Sequence, residues 1–275
     1  MQVVRILFIG DIVGKPGRDM VREATARLVA AERIDLVVAN AENCAGGSGL
    51  TPALYRSLVQ AGVDAMTLGD HIYRRREIGK VLEAETNIVK PANYPQEAPG
   101  KPWTIVEARN GVRVAIFCLL GRLFMKPIDC PWRAADRVLE QIPSDVRVVL
   151  LDFHAEATSE KQLMGRYLDG RLSAVLGTHT HVPTADETIL PGGTAFQCDV
   201  GMTGPLDSIL GRRTDRVLKT TLSYYPTPFD VATGDVRLGS TLVEIDPETG
   251  KATAIRRIRL TEEDVAGLPD EPKAP

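Results

Sequence analysis

Histidine is scarce in this chain, with four among 275 residues, and cysteine is no more abundant. Cys44, Cys118, Cys130 and Cys198 are widely spaced and form no C-x-x-C pair, which argues against a structural zinc site or a disulfide framework. Reduced thiols of this kind fit a cytoplasmic protein. No apolar run approaches the roughly 20 residues that a membrane helix needs. The start of the chain reads as a strand and has no basic, apolar and small-residue pattern of a secretory signal, so no membrane association is expected. Neither charge dominates: 33 Lys and Arg stand against 36 Asp and Glu. Broad electrostatic binding to double-stranded nucleic acid is therefore not expected. A small nucleotide or a short RNA end stays compatible, because a local site does not need a basic protein. Two catalytic motifs are also missing. Gly10-Asp11-Ile12-Val13-Gly14-Lys15-Pro16 has one residue too few between its glycines for a phosphate-binding P-loop, and proline where the hydroxyl should follow the lysine. No G-x-S-x-G elbow marks a serine hydrolase.

What is present is a βαβ rhythm. The hydrophobic fraction of 44% and charged fraction of 25% are those of an ordinary soluble domain, and the length allows one large α/β core. The apolar run Val3 to Ile9, interrupted only by Arg5, reads as a buried parallel strand. Pro16-Gly17-Arg18 opens a helix to about Ala31, Ile34 to Ala39 a second strand, and Thr51-Pro52 a second helix to about Ala61. Ala65 to Leu68 and Arg74 to Leu82 continue the alternation as strand and helix. A proline-rich stretch, 87–102, reads as an irregular excursion. Beyond it, Trp103 to Glu107 and Val112 to Leu119 flank the hairpin turn Arg109-Asn110-Gly111. A helix at Trp132 to Gln141, a strand at Val146 to Phe153, a helix at Ser159 to Asp169 and a strand at Leu172 to Leu176 follow. From Glu187 onward, short segments between Gly- and Pro-bearing turns predict antiparallel strands. Residues 1–266 are expected to form one domain and 267–275 a disordered tail.

All four histidines fall where a strand ends, which is not where scattered core or surface histidines would collect. Imidazole is the commonest protein metal ligand and the side chain best suited to proton transfer near neutral pH. Reading only strand ends, five segments collect metal-competent residues. They are Gly10-Asp11, Asn40-Ala41-Glu42-Asn43, Gly69-Asp70-His71, Asp152-Phe153-His154 and Gly177-Thr178-His179-Thr180-His181. Taken singly, an Asp after a strand is usually a turn or cap residue, and a lone His usually a satisfied structural one. Two imidazoles at i and i+2 on an irregular turn are harder to explain structurally. In open α/β sheets, sites form outside the carboxyl ends of the strands, where all five segments would emerge. Together they predict one metal-dependent site.

The order Gly-Asp, Asn-x-Glu-Asn, Gly-x-His, His and Gly-x-His-x-His resembles that of the calcineurin-like metallophosphoesterases. The closer resemblance is to their YmdB-type branch. There, as here, no His follows the first Gly-Asp (Asp11-Ile12-Val13), and Glu (Glu42) replaces the bridging Asp. Asn40 to Thr51 and Asp199 to Pro205 add supporting matches, and the likeness runs from about Val4 to Ile258. It implies an α/β metallophosphoesterase fold, with central mixed β-sheets flanked by helices in an αββα sandwich. It also implies a dinuclear centre, with Asp11, Asn43 and His181 on one metal, Asp70, His154 and His179 on the other, and Glu42 bridging. Two divalent or mixed-valence ions are expected, iron or manganese first and zinc as the further option. A bridging hydroxide would attack the phosphorus, with His71 as general acid toward the leaving oxygen. The implied activity is hydrolysis of a small phosphodiester such as a 2′,3′-cyclic nucleotide, by a homo-oligomer whose sheet edges after Glu187 could pair.

One residue departs from the pattern: the family usually has Asn where this chain has Asp70. An extra carboxylate should hold the second metal more tightly or favour a trivalent ion, and should weaken Lewis acidity toward an anionic phosphate. Two alternatives therefore stand beside the diesterase. One is a phosphomonoesterase on the same site; the other is a weakly catalytic, metal-dependent regulator that binds a nucleotide or RNA end. Arg74-Arg75-Arg76, directly after the Asp70 loop, reads either as a solvated face or as a phosphate-steering patch.

Overall fold

The computed structural model describes residues 3–269. The chain opens with β1 (Val4–Ile9), β2 (Asp11–Ile12), α1 (Gly14–Glu32), β3 (Leu36–Asn40), α2 (Pro52–Gln60), β4 (Ala65–Thr67) and α3 (Gly79–Ala84). The middle third holds β5 (Trp103–Glu107), β6 (Arg113–Leu120), α4 (Pro131–Gln141), β7 (Val148–His154), α5 (Thr158–Tyr167) and β8 (Ala174–Thr178). The last third adds β9 (Thr188–Ile189), β10 (Ala195–Gln197), β11 (Met202–Asp207), α6 (Thr214–Ser223), β12 (Gly234–Ile245), β13 (Ala252–Thr261) and α7 (Glu262–Ala266).

Two mixed sheets result. One runs β2-β11-β12-β1-β3-β4 with β13 on β12, and the other runs β5-β6-β7-β8-β10-β9. The βαβ segments make β1, β3 and β4 parallel in the first sheet and β6, β7 and β8 parallel in the second. Because both faces of each sheet are covered, strands read as nearly unbroken apolar runs, and the two faces go to different cores. In β1, Ile6 and Phe8 face the layer between the sheets, while Leu7 and Ile9 pack under α1 and α2. In β7, Val148 and Leu150 face the same inner layer, while Val149, Leu151 and Phe153 pack with residues of α4 and α5. The architecture is the expected αββα sandwich.

Some local expectations fail. The helix foreseen at Arg74 to Leu82 is two short 3-10 turns, Ile72–Arg74 and Arg76–Ile78, followed by α3. Arg75 between them is extended (φ −116°, ψ 102°), which ends the first turn, and its guanidinium donates to the Ala45 carbonyl at 3.2 Å. The last third is not simply antiparallel. β10 pairs parallel with β8, β11 parallel with β2, and α6 was not foreseen at all. No residue of α6 is buried, so it packs no face on the core. Of the foreseen tail, 267–269 follow α7 and 270–275 lie outside the described residues. Among the described residues, no helix is long and apolar enough to cross a membrane.

Candidate metal centre

The inner layer between the sheets turns polar toward the carboxyl ends of the strands. Along β7 the inward positions run Val148, Leu150, Asp152, His154; along β3 they run Leu36, Val38, Asn40. Asp152 is the hub of this change. Its Oδ2 accepts from Asn40 Nδ2 (2.9 Å) and Thr67 Oγ1 (2.5 Å), and its Oδ1 accepts from Thr178 Oγ1 (2.6 Å), so β3, β4 and β8 all converge on β7. Burial pushes the Asp152 carboxyl up to about 6.

Above this hub the strand ends bring all eight expected residues to one place. Asp11 lies in β2, Glu42 and Asn43 on the turn after β3, Asp70 and His71 after β4, and His179 and His181 after β8. His154 is the last residue of β7, inside the strand and not beyond it, and is fully buried. Glu42, Asp70, His154 and His179 each offer a ligand atom within 4.8 Å of the others, so this group can hold a metal ion. His154 Nε2 is 3.2 Å from Glu42 Oε1, 3.4 Å from Asp70 Oδ1 and 3.0 Å from His179 Nδ1. Asp11 Oδ1 faces His154 and His181 from 3.9 Å on either side. Asn43 presents its amide nitrogen to His181 Nε2 (3.1 Å) and its oxygen to His71 Nδ1 (2.8 Å). Ligation by Asn43 beside His181 thus requires the amide to turn over.

The donor set fits a cation in a specific way. The nitrogen of each imidazole that points away from the cluster has an acceptor. His154 Nδ1 lies 2.8 Å from Thr178 Oγ1, whose own proton goes to Asp152, and His181 Nδ1 donates to the Leu210 carbonyl at 3.1 Å. His179 Nε2 lies 3.1 Å from Glu156 Oε2. His179 and His181 therefore turn a bare nitrogen inward, the arrangement that metal-bound histidines adopt. The surrounding carboxylates raise His154 well above the usual imidazole value and hold a proton on its inward Nε2, where a cation would take the proton's place. Asp11 Oδ1 and Asp70 Oδ1 are buried with no hydrogen-bond partner, which is costly unless a positive charge meets them. Burial holds Asp11 up. For Glu42, burial would raise the carboxyl, but the imidazoles of His154 and His71 outweigh it and hold it well below the usual range. Burial, reinforced by the His154 charge, lowers His179 to about 4 and keeps it neutral.

Glycine at position 69 is required by this crowding, since a Cβ there would collide with Glu42 Oε2 and His154 Nε2. A cavity of about 250 Å³ opens on the cluster, and Glu42, His71, Glu156, His179, His181 and Arg212 are among its walls. Arg74, Arg75 and Arg76 are exposed and do not line it. The cation at the rim is instead Arg212, held by the carbonyls of Gly46 (2.9 Å) and Phe229 (3.0 Å) and by that of Gly47. Neither Arg212 nor Glu156 carried a local signal in the sequence, because each comes from a loop without a motif.

The sequence profile of the family described as YmdB-like protein matches residues 7–258. The chain belongs to the YmdB-like family. A relative named 2′,3′-cyclic-nucleotide 2′-phosphodiesterase, from Bacillus subtilis (strain 168), is 46% identical over 260 residues, spanning 94% of this chain and 98% of its own. The crystal structure of a protein from Thermus thermophilus superposes with a TM-score of 0.87 at 45% identity, covering 94% of this chain and all of that one. That of a phosphatase from Mycoplasma pneumoniae superposes with a TM-score of 0.89 at 30% identity, covering 95% and 94%. The two solved structures share the chain's whole architecture, not a fragment of it.

Proposed function

We propose that this chain is a metal-dependent phosphoric diester hydrolase acting on small phosphodiesters, with 2′,3′-cyclic nucleotides as the substrate class. The observation that carries the reading is the set of inward-facing imidazole nitrogens, each braced from behind, beside Glu42 and the orphaned oxygens of Asp11 and Asp70. The name of the Bacillus relative supports the substrate class. In this reading Asp11, Asn43 and His181 hold one ion, Asp70, His154 and His179 the other, and Glu42 reaches both. Iron or manganese suits the mixed oxygen and imidazole set, with zinc as the further option. Metal ions there would supply Lewis acidity toward a phosphoryl oxygen and a nucleophile at neutral pH.

His71 is the proton donor. It lines the cavity, and its hydrogen bond with Glu42 raises its pKa above the ordinary imidazole value although burial opposes this. With Nδ1 donating to Asn43 Oδ1, the protonated ring keeps its second proton on Nε2. With the Asn43 amide turned over, Nδ1 accepts and the neutral ring still carries its proton on Nε2. Nε2 thus holds the proton for a leaving oxygen in both arrangements.

The reading takes residues 1–266 as one catalytic unit, supported by β12 pairing with β1 across the length of the chain. A homo-oligomer is part of it, supported by Leu218, Leu222 and Tyr224 exposed on and beside α6. Protein reconstituted with Mn²⁺ or Fe²⁺ should hydrolyse bis-p-nitrophenyl phosphate and 2′,3′-cyclic AMP and lose both activities in Glu42→Ala. Full metal occupancy with no turnover of either would favour the regulator, to which the extra carboxylate of Asp70 lends weight. Turnover of p-nitrophenyl phosphate alone would favour the monoesterase.

A further inference from the structure

The three imidazoles of the cluster are braced from behind in unequal ways. His154 leans on Thr178 and through it on Asp152, all of them buried. His181 leans on a backbone carbonyl, that of Leu210. The brace of His179 is a side-chain carboxylate from a loop, Glu156, which lies between β7 and α5 and is 48% exposed. His179 also has a left-handed backbone (φ 94°), a conformation a bulky residue holds only when its surroundings enforce it. The His179 main-chain N–H is already committed to Asp11 Oδ2 at 3.1 Å, which fixes the backbone but leaves the ring to rotate about its own torsions.

We infer that Glu156 is a positioning residue for His179. Its carboxylate accepts the Nε2 proton, fixes the tautomer with Nδ1 bare, and turns Nδ1 toward His154 Nε2 (3.0 Å) and Asp70 Oδ1 (3.7 Å). A carboxylate behind an imidazole also makes the opposite nitrogen a stronger donor, and losing such a partner commonly weakens metal binding by about 10–100-fold. Glu156 follows His154 by two residues, so one short segment supplies a ligand and the orienter of its neighbour. A carboxylate at the rim would repel an anionic diester, so its place there is explained by the histidine and not by substrate. The inference rests on the metal-centre reading given above.

The test is a Mn²⁺ titration of the full chain, by calorimetry with elemental analysis, in the wild type, Glu156→Ala and Glu156→Gln. Because Glu156 is exposed, both variants should match the wild type in far-UV circular dichroism and in thermal unfolding without metal. Glu156→Ala should lose about 10–100-fold in affinity for one ion, whereas Glu156→Gln, whose amide oxygen still accepts, should stay within a few-fold of the wild type. In a His179→Ala background, Glu156→Ala should add no further loss, since the group it orients is gone. Wild-type affinity in Glu156→Ala, or an equal loss with and without His179, overturns the inference while leaving the metal centre standing. A wild type that takes up no Mn²⁺, Fe²⁺ or Zn²⁺ overturns both.

Discussion

Lys161 Nζ lies 2.6 Å from Asp199 Oδ2, and both side chains are sealed from solvent. The same Asp199 oxygen accepts from the Thr180 main-chain N–H (3.2 Å) and hydroxyl (2.7 Å), and its partner oxygen accepts from Gly201 N (2.8 Å). Thr180 stands between His179 and His181, both of which have left-handed backbones (φ 94° and 65°). A buried ion pair therefore clamps the one turn that carries two candidate ligands. Removing the lysine leaves a carboxylate in a dry site. Lys161→Met is expected to destabilise the fold by about 3–5 kcal/mol. Urea unfolding checks this, and a loss below about 1 kcal/mol would contradict it.

His71→Ala should spare metal content, because His71 is not among the side chains proposed to hold the ions and its Nδ1 is engaged with Asn43 Oδ1. Turnover of a diester with a poor leaving group should fall by about 10²–10⁴-fold, the usual worth of a positioned acid. Bis-p-nitrophenyl phosphate, whose leaving group needs no proton, should be affected far less. A uniform loss on both substrates would assign His71 a structural role.

Asp70→Asn removes one negative charge from the cluster. The fold should be unchanged, since Asp70 Oδ1 has no hydrogen-bond partner to lose. Metal preference or turnover should change, and elemental analysis with kcat measurements reads both. Equal metal content and equal rates in the two forms would refute it.

Gly69→Ala places a methyl group against Glu42 and His154. Because those are the innermost groups of the cluster, metal uptake and turnover should be lost together while circular dichroism stays near that of the wild type. A fully active variant would mean that these side chains take up other positions when the enzyme works.

Much of this site was legible because the rule that parallel strands offer their carboxyl ends to a site needs only the strand ends, and those are marked by Gly, Asp, Asn and His. The inner-face alternation of β7 could have placed Asp152 and His154 on one side, since Val148, Leu150, Asp152 and His154 are two apart. The break at Arg75 was not legible: the residue is extended and its guanidinium reaches the carbonyl of Ala45, thirty residues earlier, a contact no local pattern records. Nor was α6, which buries nothing, nor the roles of Arg212 and Glu156, which depend on where loops settle in space. The resemblance to a family supplied the division of ligands between two ions, which spacing alone could not.

The strand order of the first sheet has a consequence for synthesis. β1 lies between β3, made early, and β12, made near the end, while β2 with Asp11 pairs with β11. A nascent chain released only as far as α6 would have its first strand bare along one side. Such an edge invites pairing with other chains, and contacts this distant in sequence close slowly. The amino-terminal half of the candidate centre must therefore wait, tethered to the ribosome, for the last third of the protein before it can be completed.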